Sequence, residues 1–170
     1  PGIQRCSSFV SSNETIEIFV NNFLIGRQEH KMDKKIIVAY ASKYGAAAGI
    51  AEKIGETLNA AGYTAEVLSV EKVTDLNSCQ AIVLGSSVYI GQWRKKAVKF
   101  LKGNLAVLSE KPVWLFSCGL TGKDNPEELK QNKNFPKKLQ YLADQIKPKD
   151  ITAFLGMVTM ERLNPLERMM

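Results

Sequence analysis

The residues best suited to holding a ligand fall in three short, small-residue loops. The first reads Ser42-Lys43-Tyr44-Gly45-Ala46-Ala47 and joins an apolar run to a helical pattern. Successive backbone N–H groups in such a turn form a nest, and the helix start behind it adds partial positive charge. Together with a serine hydroxyl they suit a phosphate. The loop is not a nucleotide-binding G-x-x-x-x-G-K-[ST], and the G-x-G-x-x-G dinucleotide fingerprint is absent. The second loop, Ser86-Ser87-Val88-Tyr89-Ile90-Gly91, and the third, opening Ser117-Cys118-Gly119, follow two further apolar runs. An aspartyl phosphoacceptor site of the receiver type is excluded, because Gly85-Ser86 and Ala41-Ser42 stand where its acids belong.

Other chemistries find little material. His30 is the single histidine, which leaves no histidine-based triad or metal site. Cys6, Cys79 and Cys118 are widely spaced with no C-x-x-C, a pattern of free thiols in a reducing, cytoplasmic compartment, and no metal site is expected. No residue qualifies as an acid–base catalyst.

The elements that must position these loops follow from periodicity. Lys35–Tyr40 is a short β-branched run, the mark of a strand buried on both faces. Ile50, Ala51, Ile54, Leu58 and Ala61 keep helical spacing, and Gly62 stands where a helix-ending glycine belongs. Strands follow at Thr64–Val70, Ala81–Leu84, Val113–Phe116 and Ile151–Val158. Between them come a helix around Arg94–Lys102, a helix start at Asn125-Pro126-Glu127-Glu128, and a helical run through Phe135, Leu139, Leu142 and Ile146. Strands alternating with helices predict a doubly wound α/β fold with a parallel sheet. Such sheets bind ligands beyond the carboxyl ends of their strands, where all three loops fall.

The chain has 170 residues, 45% of them hydrophobic, and a net charge of +6, the profile of one globular domain with a modest preference for anions. No apolar stretch is long enough for a membrane-spanning helix. Residues 1–31 differ from the rest: their charges cancel, and Met32-Asp33-Lys34-Lys35 reads as a natural start before the first strand. They read as translated upstream sequence or a cloning remnant, or else as an N-terminal extension in which Thr15–Val20 alternates like an edge strand. The domain proper is then residues 32–170.

Tyr40-Ala41-Ser42-Lys43-Tyr44-Gly45 with Ile50-Ala51-Glu52-Lys53-Ile54 resembles the opening of a flavodoxin. Val83 to Trp93 resembles the second flavin loop of that family and Phe116-Ser117-Cys118-Gly119-Leu120 the third. Tyr89-Ile90-Gly91-Gln92-Trp93 and the tail from Gly156 to Arg168 look most like the menaquinone-dependent protoporphyrinogen dehydrogenase group of flavodoxin domains. The resemblance spans residues 34–168. It implies a flavodoxin-like five-stranded parallel sheet of order 2-1-3-4-5 and FMN as cofactor. Ser42, Lys43, Tyr44, Gly45, Ala46 and Ala47 would hold the phosphate. Ser86, Ser87, Val88, Tyr89, Ile90 and Gly91 would lie along the flavin ring, with Tyr89 stacking and Gly91 letting a peptide turn over. Ser117, Cys118 and Gly119 would edge its pyrimidine side. The implied function is electron transfer, or a protoporphyrinogen dehydrogenase-like oxidation coupled to a quinone. The partners are then a redox protein or a quinone, with peripheral contact at the inner face of a membrane.

Three departures from the family pattern bear on this. Ala46 and Ala47 stand where polar and hydroxyl residues are usual, which leaves open a domain that has lost tight FMN binding and serves as a partner-binding module. The family's last helix has no counterpart before Met170, so the expectation is either a truncated tail or a second subunit covering Val158, Met160, Leu163, Leu166 and Met169, since an uncovered apolar face favours homo-oligomers. The charge is basic, with Arg94, Lys95, Lys96, Lys99 and Lys102 beside the second loop. These lysines are scattered over helix faces and form no aromatic–basic platform, so no nucleic-acid partner is expected.

Overall fold

The computed structural model describes residues 8–25, 35–119 and 135–154, with the backbone alone at 8–13, 23 and 25. The helix start at Asn125-Pro126, the third loop beyond Gly119, and the tail with Val158, Met160, Leu163, Leu166 and Met169 lie outside the described residues.

The described chain runs α1 (Ser8–Ile25), β1 (Lys35–Ala41), α2 (Ala46–Ala60), β2 (Thr64–Ser69), β3 (Ala81–Tyr89), β4 (Gln92–Trp93), α3 (Lys95–Gly103), α4 (Leu105–Glu110) and β5 (Val113–Cys118). A 3-10 turn (Lys137–Leu139), α5 (Gln140–Ile146) and β6 (Asp150–Phe154) complete it. The main sheet has the order β2-β1-β3-β5-β6, and all its pairings are parallel. This is the expected 2-1-3-4-5 order, renumbered because a two-residue strand, β4, pairs antiparallel with the end of β3. That strand and the separate short helix α4 were not anticipated from the sequence.

The central strands are apolar along their whole length because both faces are covered. Ile37 and Ala39 of β1, with Ile82 and Leu84 of β3, face a core closed by α3, α4 and α5. Ile36 and Val38, with Ala81 and Val83, face a second core closed by α2 and α1. The spacing of Phe135, Leu139, Leu142 and Ile146 is realised as a 3-10 turn running into α5, and all four side chains are buried in the first core.

Helix α2 ends as its glycine suggests. Gly62 has φ 88°. The Gly62 N–H donates to the Asn59 carbonyl (3.0 Å) and the Tyr63 N–H to the Leu58 carbonyl (3.1 Å), the paired bonds of a Schellman cap.

The strand expected at Thr15–Val20 is instead the middle of α1. A strand would put Ile16, Ile18 and Val20 on one face. In the structure Ile16, Phe19 and Val20 are buried while Ile18 is 61% exposed, the arrangement of a helix. The stripe packs on α2 and the end of β6, with the Phe19 ring edge-to-face on Phe154 at 6.1 Å. Thus α1 covers the same face of the sheet as α2. The choice between strand and helix was made by this packing partner, which short-range alternation does not report.

Candidate functional site

All three loops gather at the carboxyl ends of β1, β3 and β5. The first is shaped by Gly45, which caps α2 at φ 89°, ψ −13°, a left-handed conformation that glycine adopts without penalty. Its N–H donates to the Ser42 hydroxyl oxygen (2.9 Å), so Ser42 holds the turn closed. No side chain caps α2, and the first N–H groups of a helix have no acceptor within it. The Gly49 N–H is the first to bond back, to the Gly45 carbonyl (2.9 Å). The N–H groups of Ala46, Ala47 and Ala48 are therefore the donors that this loop offers. Ala47 is fully buried among the α1–α2 core residues, so its methyl packs inward and only its backbone serves the loop.

The second loop is a β-hairpin. Val88 pairs with Trp93 and Tyr89 with Gln92, leaving Ile90 and Gly91 as a two-residue turn. Both have positive φ, 49° and 67°, the sign pattern of a type I′ turn. Glycine takes this freely, but a β-branched residue there is strained. The tip is also exposed, Tyr89 at 44% and Ile90 at 79%. Ser86 faces the other way: it is fully buried, and its hydroxyl accepts the Arg94 N–H (3.0 Å) at the start of α3 and donates to the Ser87 carbonyl (3.0 Å). The Ser87 hydroxyl is buried with no hydrogen-bond partner.

The third loop opens under this hairpin. Gly119 has φ 153°, and a Cβ there would stand 2.7 Å from the Val88 carbonyl oxygen, so only glycine lets the loop pass so close. Its N–H donates to the Phe154 carbonyl (3.2 Å). Ser117 is buried and accepts the Trp93 indole N–H (2.9 Å). Cys118 is buried at the strand end, and desolvation pushes its thiol up to about 12. A thiol held neutral in this way is not a nucleophile.

Contacts between loops make these segments one site. The Lys43 ammonium lies 4.6 Å from the Tyr44 ring centroid and 5.0 Å from that of Tyr89, so it ties the first loop to the hairpin by cation–π attraction. Trp93 ties the hairpin to β5 and stacks edge-to-face on Phe135 at 5.1 Å. The cation–π role of the Lys43 side chain and the tethering role of Trp93 are not evident from the sequence. The available signal was two strand-forming pairs, Val88-Tyr89 and Gln92-Trp93, flanking X-Gly.

The structure thus brings Ser42–Ala47, Ser87–Gly91 and Gly119 to one rim. Ser86, Ser117 and Cys118 sit beneath it as supports. Among the described residues there is no cluster of potential metal ligands. Nor is any described helix long and apolar enough to cross a membrane.

A phosphate-suited nest at one end of a parallel sheet, facing an aromatic hairpin on the neighbouring strand, defines a doubly wound α/β domain built for a phosphorylated aromatic cofactor. The chain belongs to the flavodoxin domain family, whose model matches residues 37–170. No curated protein matches it. Among solved structures it is similar to a flavodoxin from the domain Archaea, with 22% identity over 79% of this chain and 92% of that one and a TM-score of 0.58. It is also similar to a WrbA-like flavodoxin from Agrobacterium tumefaciens (18% identity, 80% and 92% covered, TM-score 0.53). A third likeness is to the Flv1 flavodiiron core from Synechocystis (16% identity, 90% and 38% covered, TM-score 0.57).

FMN is the cofactor of this family, and the residues present fit it. The uncapped α2 start supplies phosphate donors, and the orphaned Ser87 hydroxyl is a buried polar group in want of a partner.

Proposed function

We propose that this protein binds FMN at the three-loop rim and transfers electrons between a redox partner protein or a quinone and the flavin. The observation that carries the reading is the pairing of an uncapped helix start at Gly45–Ala47 with the exposed Tyr89 across from it, bridged by Lys43. Bound FMN supplies reversible uptake of two electrons and two protons. The chain's own part is to bind and tune. The nest N–H groups take the phosphate, Tyr89 offers a ring for stacking, and Ser87 and the Gly91 backbone offer hydrogen bonds to the ring edge.

Within this reading, the Tyr89–Trp93 hairpin and the basic helix α3 support a quinone-coupled, protoporphyrinogen dehydrogenase-like oxidation over shuttling between acidic-surface partners. The burial of the Phe19 stripe supports a domain that includes α1, so that residues 8–25 are part of the fold. Ala46 and Ala47 support the alternative, a partner-binding module with weak FMN affinity. They weigh less here because the Ala47 side chain is structural and the backbone donors remain.

The test is a visible absorption spectrum of the purified protein before and after adding FMN and desalting. Retained flavin bands and quenched FMN fluorescence are expected. A colourless protein that leaves FMN fluorescence unchanged on titration overturns the reading in favour of the partner module.

A further inference from the structure

Outside the three-loop rim, the structure has a groove of about 810 Å³ between α3 and the 3-10 turn before α5. That volume falls within the range of roughly 300–1,000 Å³ usual for small-molecule sites. Its apolar lining comes from Trp93, Val98 and Leu139, and the exposed Tyr141 ring stands at its mouth. Lys95, Lys99 and Lys102 line one wall, and Lys138 comes from the opposite wall. Among the described residues no acidic side chain lines the groove. Among the described residues none of these four lysines has an ion-pair partner, whereas the adjacent Lys96 is paired with Glu71 at 2.7 Å. Lysines at i and i+4 on a helix repel one another, so an unpaired row of them is relieved by an anion.

We propose that this groove binds a small amphipathic anion: an apolar ring or chain carrying two or more acidic groups. Its body lies on Trp93, Val98 and Leu139, and its acidic groups reach the lysines on both walls. Concavity favours a discrete ligand over a membrane surface, which would need a flat or convex basic face. Charge on opposite walls favours more than one acidic group. The buried Trp93 belongs both to this groove and to the hairpin of the FMN rim, so the occupant lies next to that rim. Binding itself does not depend on the FMN reading.

The experiment is a fluorescence anisotropy titration of the whole protein, with and without saturating FMN. Pyrene tetrasulfonate, pyrenebutyrate and uncharged pyrenebutanol are the probes. The two anions are expected to bind at least tenfold more tightly than the alcohol, more weakly as salt rises, and equally with FMN present. Lys99→Glu/Lys102→Glu is expected to weaken the tetrasulfonate at least tenfold with FMN affinity and circular dichroism unchanged. Val98→Asp is expected to do the same from the floor. Equal affinity for anion and alcohol, or an unaffected double variant, overturns the proposal. So does displacement of the probe by FMN, or lysine-dependent binding to phosphatidylglycerol vesicles without binding of the free probes. Probe binding in a protein that fails to bind FMN would sink the flavin reading and leave the groove standing.

Discussion

Replacing Gly45 by asparagine and by aspartate separates backbone from charge at the nest. Both side chains meet the same left-handed backbone, φ 89°. An L-residue there costs about 1–2 kcal/mol, and Asn and Asp pay the low end of it because they tolerate this region. The two variants are nearly isosteric, so what remains between them is one negative charge beside a bound phosphate. For charges on the order of 6 Å apart and an effective dielectric of ~20, the repulsion is about 2.8 kcal/mol per charge pair. A phosphate monoester carries about −1.5 to −2, and doubling the dielectric to allow for exposure still leaves about 2 kcal/mol. The aspartate variant should therefore bind FMN at least about thirtyfold more weakly than the asparagine variant. Quenching of FMN fluorescence at low and high salt is the assay, and added salt should narrow the gap. Circular dichroism should show both variants folded. An Asp/Asn ratio below about threefold at low salt would refute the placement of a phosphate at this loop.

Two further outcomes test the scaffold. Phe19→Ala should cost about 3–5 kcal/mol in urea unfolding with an unchanged m-value, whereas Ile18→Ala on the exposed face should stay within about 0.5 kcal/mol; similar costs for both would mean that α1 is not seated on the sheet. Cys118 is held neutral in the fold, its thiol pushed up to about 12 by burial. Because the folded value lies above the unfolded one, its contribution is fully present below the unfolded value near 9 and is lost as pH rises toward 12. The expected slope is about 1.4 kcal/mol per pH unit. Comparing the alkaline limbs of unfolding for the parent and Cys118→Ala checks this: matching slopes would show that the thiol ionises in the folded state.

The parts of this fold that were legible in the sequence are those whose signal is local and long. Lys35–Tyr40, Ala81–Leu84 and Val113–Phe116 are apolar on both faces because both faces are covered, and their shortness and β-branched residues separate them from buried helices. Helix α2 declared itself by five apolar positions and a terminal glycine. Thr15–Val20 is only six residues, compatible with either period, and its packing partners, α2 and Phe154, lie outside any short window. The hairpin was hidden because its turn uses Ile90 where Asn or Asp is the usual signal for positive φ. The loops could be located by their small residues, but not sorted into rim and support. That Ser86 serves the start of α3 and Ser117 serves Trp93 depends on partners 8 and 24 positions away.

The seating of α1 also bears on the order in which the chain acquires its structure. Phe19 and Phe154 are 135 positions apart, yet their rings meet at 6.1 Å. Contacts of such separation are slow to form, because a long loop must close before they yield anything. Helix α1 leaves the ribosome before the strand end it rests on, which emerges more than a hundred residues later. In the interval Ile16, Phe19 and Val20 have α2 to lie on but not the strand end that completes their seat. The remaining strands and helices can condense first around β1, β3 and β5, and α1 then closes over them. The helix made early is seated last, and its docking should appear as a separate slow phase in refolding.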